Sequence, residues 1–515
     1  MNSRKKVDPR ILIILIFAIG VFARVWSFGR IPPGLNQDEA SIGVEAYNIL
    51  HFGTDRFGLS YPVNFISWGS GQNALYAYFL IPFIAIGGLS SFTVRLPMLI
   101  TGILSLPLSY YAAKRIFNAR FGLIAMYLLS ICPWHIMMSR WGLESNILPF
   151  VFLLGFVCLL KIDSGYGWFI LSCVFFSLCL YAYGTAYVAI PVFLLIVVFS
   201  AYKQKKMNKI QLLIGILVFL IIAIPIGLLI LINTLHFSTL HLGPFTIPRY
   251  PYPPRYEMMS IGFYGKGLNN LFHNLATFFN LLLTQDDGLI WNSFSPFGYF
   301  YTITFPLAII GLFQLVKERN SKKQFEISLL IGWLVSCLLV GALQEVNINR
   351  INLIFIPILL CISVCFEYLM RKKRIVFVIV MVCFLMGFSI FEWQYLSRAY
   401  TSLAEEPFFS GLLPALDFAR QQGSFPICMT NQVNEPFIFT MFSERMKDKL
   451  YSDEVINLNP SAPSVYSYGR YAFGLKNCPN NSNTIYVLRN ESIPENDIHY
   501  QVREFDSFRV LIPID

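Results

Sequence analysis

Asp38 and Glu39 are adjacent in the stretch GLNQDEASIGVEAYNIL, which directly follows an unbroken apolar run. Neighbouring carboxylates repel each other and hold water, so their chemistry belongs outside hydrocarbon. A carboxylate oriented by local structure is a suitable general base for a hydroxyl proton. Asp38 also fits the N-cap of the amphipathic helix that ASIGVEAYNIL predicts, and the two roles are compatible. Glu39 reads as a group supporting Asp38 or as a solvated one, and both acids are candidate catalytic residues.

Three arginines stand at the ends of apolar runs: Arg95 in SFTVRLP, Arg140 in SRWGLES and Arg350 in NINRINLIFIP. A guanidinium presents a planar fork that matches phosphate oxygens in pairs. Three at one level beside an Asp-Glu loop form a candidate phosphate clamp. Ordinary roles compete with this one. Arg95 could snorkel at an interface, and Arg140 could pair with Glu144 across one helical turn. Gln72 in SGQNALY and Gln344 extend the polar set. Asp287, with Asp286 in LLTQDDGLIW, is either a solvated turn or a substrate contact. No Cys or His spacing suggests a metal site. No cofactor is expected and no motif requires a divalent metal, although Asp38, Glu39 and Glu144 could hold one.

The elements that position these residues follow from composition. The chain has 515 residues, is 56% hydrophobic and only 13% charged, where a soluble protein carries about 25% charged residues. Its repeated apolar runs are long enough to cross hydrocarbon, which predicts a polytopic α-helical membrane protein. Spans are expected near 11–28, 94–112, 121–138, 147–161, 168–183, 187–202, 211–232, 300–316, 325–343, 351–369 and 375–391. The net charge of +10 lies in short loops, so it reports topology and not a nucleic-acid partner. Basic clusters stand at Lys114/Arg115/Arg120, Lys203/Lys205/Lys206/Lys209, Lys317/Arg319/Lys322/Lys323 and Arg371/Lys372/Lys373/Arg374. About eleven spans with the N-terminus inside put every cluster on the cytoplasmic face. Arg4, Lys5, Lys6 and Arg10 precede the first run, and no small-residue cleavage site follows it, so that run is expected to remain as a span. The apolar run 73–88 must then be interfacial or re-entrant, because an additional crossing would invert every later cluster.

This topology places outer loops at 29–93 and 233–299, and gathers all the polar candidates on the extracytoplasmic side of the cell membrane. Residues 1–391 form the transmembrane domain. Residues 392–515 are expected as a small extracytoplasmic α/β domain, with strands in TIYVLRN and SFRVLIPI and a helix in GLLPALDFARQQ. Cys428 and Cys478 could pair there if that compartment is oxidising.

The series DEA, FTVRLP, KRIFNARFG and CPWHIMMSRWGLES resembles membrane glycosyltransferases of the GT-C type, such as protein O-mannosyltransferases and aminoarabinose transferases. The resemblance covers spans one to four, and extends more weakly through DDGLIWNSFSPFGYFYTITFPLAIIGL and NRINLIFIP. It implies a GT-C fold, a polyprenyl-phosphate sugar donor, and a glycan, lipid or protein acceptor among membrane lipids. It also implies Asp38 as the base, an important Arg95, and a single displacement that inverts the anomeric carbon. The chain departs at SGQNALY, where some relatives carry a lysine and prolines and this one carries Gly71, Gln72 and Asn73. The competing expectation is a transporter or flippase of a lipid-linked substrate without chemistry. A scaffold with the same fold and no activity is a third. Spans nearly free of ionisable residues favour sugar transfer over ion-coupled transport.

Overall fold

The computed structural model describes residues 8–68, 70–254, 267–317, 323–445, 465–479, 483–493 and 499–514. Arg4, Lys5, Lys6, Arg319 and Lys322 of the expected cytoplasmic clusters lie outside these segments. The first helix, α1 (Pro9–Val25), is followed by α2 (Gln37–Phe52), the hairpin β1 (Asn64–Ser67) and β2 (Ser70–Asn73), and α3 (Leu75–Gly87). Then come α4 (Ser91–Ile116), α5 (Ala119–Ser130), α6 (Pro133–Met138), α7 (Glu144–Leu159), α8 (Tyr166–Ala182), α9 (Ala186–Lys203) and α10 (Lys209–Thr234). A small hairpin, β3 (Leu240–Leu242) and β4 (Phe245–Ile247), leads toward α11 (Gly267–Thr284), α12 (Thr304–Lys317) and α13 (Gln324–Leu343). The helical part closes with α14 (Ile348–Ile351), α15 (Phe355–Lys372) and α16 (Arg374–Tyr395).

Among the described residues, six helical segments are long and apolar enough to cross a membrane by length and composition: α4, α9, α10, α13, the joined α14–α15 and α16. Five shorter apolar helices, α3, α5, α7, α8 and α12, accompany them. The apolar run expected as one span at 121–138 is two helices. The chain leaves helical geometry at Ile131–Cys132, and Pro133 starts the next helix at a position where its missing N–H costs nothing.

Burial sorts the helices. Helix α15 is enclosed, whereas α10 and α16 expose Leu213, Ile221, Ile224, Ile375, Ile379 and Met386. Such a surface is stable against acyl chains and not against water. The interior packs aromatics tightly: Phe152 lies 4.4 Å from Trp333 by ring centroids, and the Trp333 indole N–H donates to Leu353 O at 3.0 Å.

After α17 (Arg398–Ala404) the chain forms α18 (Leu412–Gln421), β5 (Ile427–Met429), α19 (Pro436–Glu444), β6 (Ser467–Tyr468), β7 (Tyr471–Phe473), β8 (Ile485–Leu488), β9 (Tyr500–Phe505) and β10 (Phe508–Pro513). The strands make one sheet in the order β6-β7-β5-β8-β10-β9, with β5 parallel to both neighbours. Cys428 on β5 is bonded to Cys478, with Cα atoms 5.5 Å apart. The segment between α17 and α18 straps the beginning of the first loop, since Leu35 N–H donates to Phe408 O at 2.7 Å. Gly34 makes this approach feasible. It has φ +63°, and a Cβ there would meet Phe408 O at 2.1 Å.

Candidate active site

Helix α2 positions the acid pair through its cap. Asn36 is the N-cap: its side-chain oxygen accepts from Asp38 N at 2.9 Å, and Glu39 Oε2 accepts from Asn36 N at 3.2 Å, closing a capping box. The cap is therefore Asn36 and not Asp38. Asp38 occupies the first helical turn, where the helix dipole favours an anion, and its side chain is half-buried. The Trp68 indole N–H donates to Asp38 Oδ1 at 3.4 Å.

Glu39 is neither solvated nor on the wall of the neighbouring cavity. It is fully buried and grips Arg95 with two parallel bonds, Nε to Oε1 at 2.7 Å and Nη2 to Oε2 at 2.8 Å. Gly142 N also donates to Oε1 at 2.8 Å. Arg95 spends its remaining donors on Pro32 O at 2.7 Å and Gly34 O at 3.0 Å. Arg140 is buried likewise. It donates to Ile31 O, Ala23 O and Arg24 O at 3.1–3.2 Å, and its guanidinium lies 5.5 Å from the Tyr395 ring centroid. It does not meet Glu144, because the chain leaves helical geometry between them. Glu144 begins α7 and accepts instead from Asn73 N. The structure therefore uses Arg95 and Arg140 to rivet the first loop to the spans, and only Arg350 of the three reaches open space.

That space is a cavity of about 600 Å³. Asp38, Gln72, Glu144, Gln344 and Arg350 line it, whereas Glu39, Arg95, Arg140 and Asp287 do not. Arg350 is tethered by its Nη1 to exposed Glu345, 3.1 Å away. Asp287 stands behind the wall. It accepts from Asn292 Nδ2 and Ile348 N, both at 2.9 Å, and so fixes the start of α14, which carries Asn349 and Arg350. Burial raises the Asp287 carboxyl above its ordinary value, opposed by these donors. The trio Asp38, Glu39 and Glu144 does not converge, since the Glu39 oxygens are taken by Arg95, Gly142 and Asn36. Among the described residues no other group of three acidic, His or Cys side chains is placed to hold a metal ion.

Sequence reasoning missed the aromatic walls. Trp68, Trp141, Trp291, Tyr183, Tyr187 and Tyr250 all line the cavity. They come from five separate segments, and in a chain that is 16% aromatic none of them stands out. Ile230, Val340 and Leu343 form an apolar flank.

Behind the Trp68 hairpin lies a buried charge cluster that sequence reading also missed. Glu45 accepts from Arg56 N at 3.0 Å and lies 3.2 Å from Arg56 Nε, both side chains being fully buried. Burial pushes the Glu45 carboxyl up to about 8, with Arg56 pulling it back. Burial likewise pushes Asp55 up to about 6, against backbone donors from Leu59 and Phe57. Both acids hold a proton more tightly folded than unfolded, so the stability they contribute is full at low pH. It is lost as the pH rises through about 6 and then about 8. Thermal unfolding in detergent should show the midpoint of the wild-type protein falling relative to Glu45→Gln as the pH rises through the upper value. A difference that stays constant with pH would refute this.

Residues 73–228 match the sequence model of a family described as dolichyl-phosphate-mannose-protein mannosyltransferase. No curated protein matches the chain. Among solved structures, ArnT from Cupriavidus metallidurans bound to undecaprenyl phosphate superposes with a TM-score of 0.58 at 12% identity, covering 98% of this chain and 97% of that one. The Archaeoglobus fulgidus oligosaccharyltransferase in its apo form gives a TM-score of 0.51 at 12% identity over 86% of this chain, which spans 65% of that protein's length. The archaeal oligosaccharyltransferase AglB from Archaeoglobus fulgidus, in complex with an inhibitory peptide and a dolichol-phosphate, gives 0.50 at 12% identity over 86% of this chain and 64% of that one.

Proposed function

We propose that this chain, a helical membrane protein with the GT-C fold of membrane glycosyltransferases, transfers a sugar from a polyprenyl-phosphate donor to an acceptor hydroxyl. The reaction takes place at the outer face of the cell membrane. The observation that carries the reading is a single cavity holding Asp38 at a helix start, Arg350 as its cation and an apolar flank. Bound undecaprenyl phosphate in the Cupriavidus neighbour and dolichol-phosphate in the Archaeoglobus one support a polyprenyl-phosphate carrier. An acceptor peptide tethered to the Archaeoglobus oligosaccharyltransferase in a further structure supports a protein acceptor beside glycan and lipid.

In this reading Asp38 takes the proton of the acceptor hydroxyl as its oxygen bonds to the anomeric carbon. The bond from that carbon to the phosphate oxygen breaks, and its electron pair leaves on polyprenyl phosphate. One displacement inverts the anomeric configuration. Arg350 neutralises the departing phosphate, Gln72 and Glu144 hold sugar hydroxyls, and Ile230, Val340 and Leu343 accommodate the first isoprene units. Arg95, Arg140, Glu39 and Asp287 hold the walls.

The purified protein, given a polyprenyl-phosphate sugar and a candidate acceptor, should release polyprenyl phosphate. No release from any donor and acceptor pair, with donor carried across the bilayer instead, would mean transport. Arg350→Gln should raise KM for the donor about tenfold, the low end for a charged hydrogen bond, with Arg350→Lys between it and wild type. A KM and a kcat both unchanged would remove Arg350 from the phosphate.

A further inference from the structure

We propose that Trp68 is a positioning residue for the sugar-transfer reaction: its indole N–H fixes the carboxylate of Asp38, and Arg56 fixes the indole. The inference rests on Asp38 being the base, as proposed above.

The backbone supplies the first observation. Strands β1 and β2 pair antiparallel with Ser67 opposite Ser70, so Trp68 opens the two-residue loop between them. Two-residue hairpin loops favour asparagine, aspartate or glycine where φ is positive. Trp68 has φ +51°, a conformation that a bulky side chain adopts at a cost. Backbone held there against its preference points to a function that the side chain serves.

The surroundings supply the second. The indole lines the cavity and donates to Asp38 Oδ1 at 3.4 Å. The Arg56 guanidinium lies 5.2 Å from the Trp68 ring centroid, and Phe437 of α19 meets the ring edge-on at 6.1 Å. Arg56 is itself immobilised: beyond its pairing with Glu45 it donates to Ser41 Oγ at 2.8 Å and Ile66 O at 3.2 Å. Ser41 Oγ in turn donates to Gln72 Oε1 at 2.9 Å, on the same cavity wall. One buried cation thus holds two wall groups, the indole above Asp38 and the amide of Gln72. Among the described residues the acids that interact with Arg56 are Glu45, Asp55 and Glu435, the residue before α19. Glu144 and Arg350 share the cavity wall with Asp38.

Trp68→Phe keeps one aromatic ring in the turn and removes the N–H together with the other ring of the indole, so kcat is read beside the thermal midpoint of the same preparation. Release of polyprenyl phosphate should fall about tenfold in kcat, the low end for a hydrogen bond to a charged group. KM for the donor should stay within about twofold, since the N–H acts on Asp38 and not on the donor, and the loss in kcat should exceed any loss of folded material. Arg56→Lys should lower kcat in the wild-type background, and less once Trp68 is phenylalanine, because the part of its effect that passes through the indole is then already lost while the part that passes through Ser41 and Gln72 remains. Asp38→Asn is assayed alongside. A dead Asp38→Asn with a fully active Trp68→Phe, or with additive effects at 56 and 68, overturns this inference alone. A fully active Asp38→Asn overturns it together with the reading it rests on.

Discussion

Asp38→Asn should yield a protein that folds and binds the polyprenyl-phosphate sugar like wild type, yet turns over 10²–10⁴-fold more slowly, about the contribution of a positioned general base. The substitution is nearly isosteric. It leaves Asp38 N on the Asn36 cap and leaves an oxygen for the Trp68 N–H. Only basicity is lost, so the loss should fall on kcat and not on donor affinity. Single-turnover release of polyprenyl phosphate, with donor binding measured on the same preparation, separates the two. Turnover within tenfold of wild type would mean that the acceptor loses its proton elsewhere. Glu144, the other carboxylate on the cavity wall among the described residues, would then be the first alternative.

How much of this site was legible depends on the range of the interaction that makes it. Apolar helices long enough to cross, six among the described residues against about eleven expected spans, are visible because hydrocarbon imposes a simple rule on composition, and Arg350 is visible because a cation before an apolar run stands out. The cap was placed wrongly at Asp38, although a signal for it was there: Asn36-Gln37-Asp38-Glu39 is a capping residue followed three positions later by glutamate. Read in that frame, Asn36 takes the cap and Glu39 folds back, which leaves Asp38 for the cavity. The fates of Arg95 and Arg140 were not legible. An arginine at a helix end looks the same whether it snorkels, clamps a phosphate or fills a shell of carbonyls. Their acceptors, Pro32, Gly34, Ile31 and Ala23, are far away in sequence and show no side-chain signal. The strap that crosses the first loop was equally hidden, because Phe408 meets Leu35 through backbone atoms across most of the chain.

The Glu39–Arg95 pair is where the sequence expectation and the structure part most sharply, and a substitution decides between them. Breaking a buried ion pair from one side leaves the other charge without solvent or partner and costs about 3–5 kcal/mol. Arg95→Met does this to Glu39, whose side chain is fully buried, and also frees the carbonyls of Pro32 and Gly34 that shape the turn before α2. The expected result is a large fall in thermal midpoint and in the yield of monodisperse protein, with activity lost in proportion to folded material. Arg95→Lys should fall between, since an ammonium cannot fork onto both carboxylate oxygens and still reach both carbonyls. Removing both charges in Glu39→Gln/Arg95→Met should recover stability relative to Arg95→Met alone, because no uncompensated charge remains. If Arg95→Met were instead stable and raised KM for the donor tenfold, Arg95 would be reaching the phosphate in the working enzyme. The first loop would then have to open far enough to release it from Glu39.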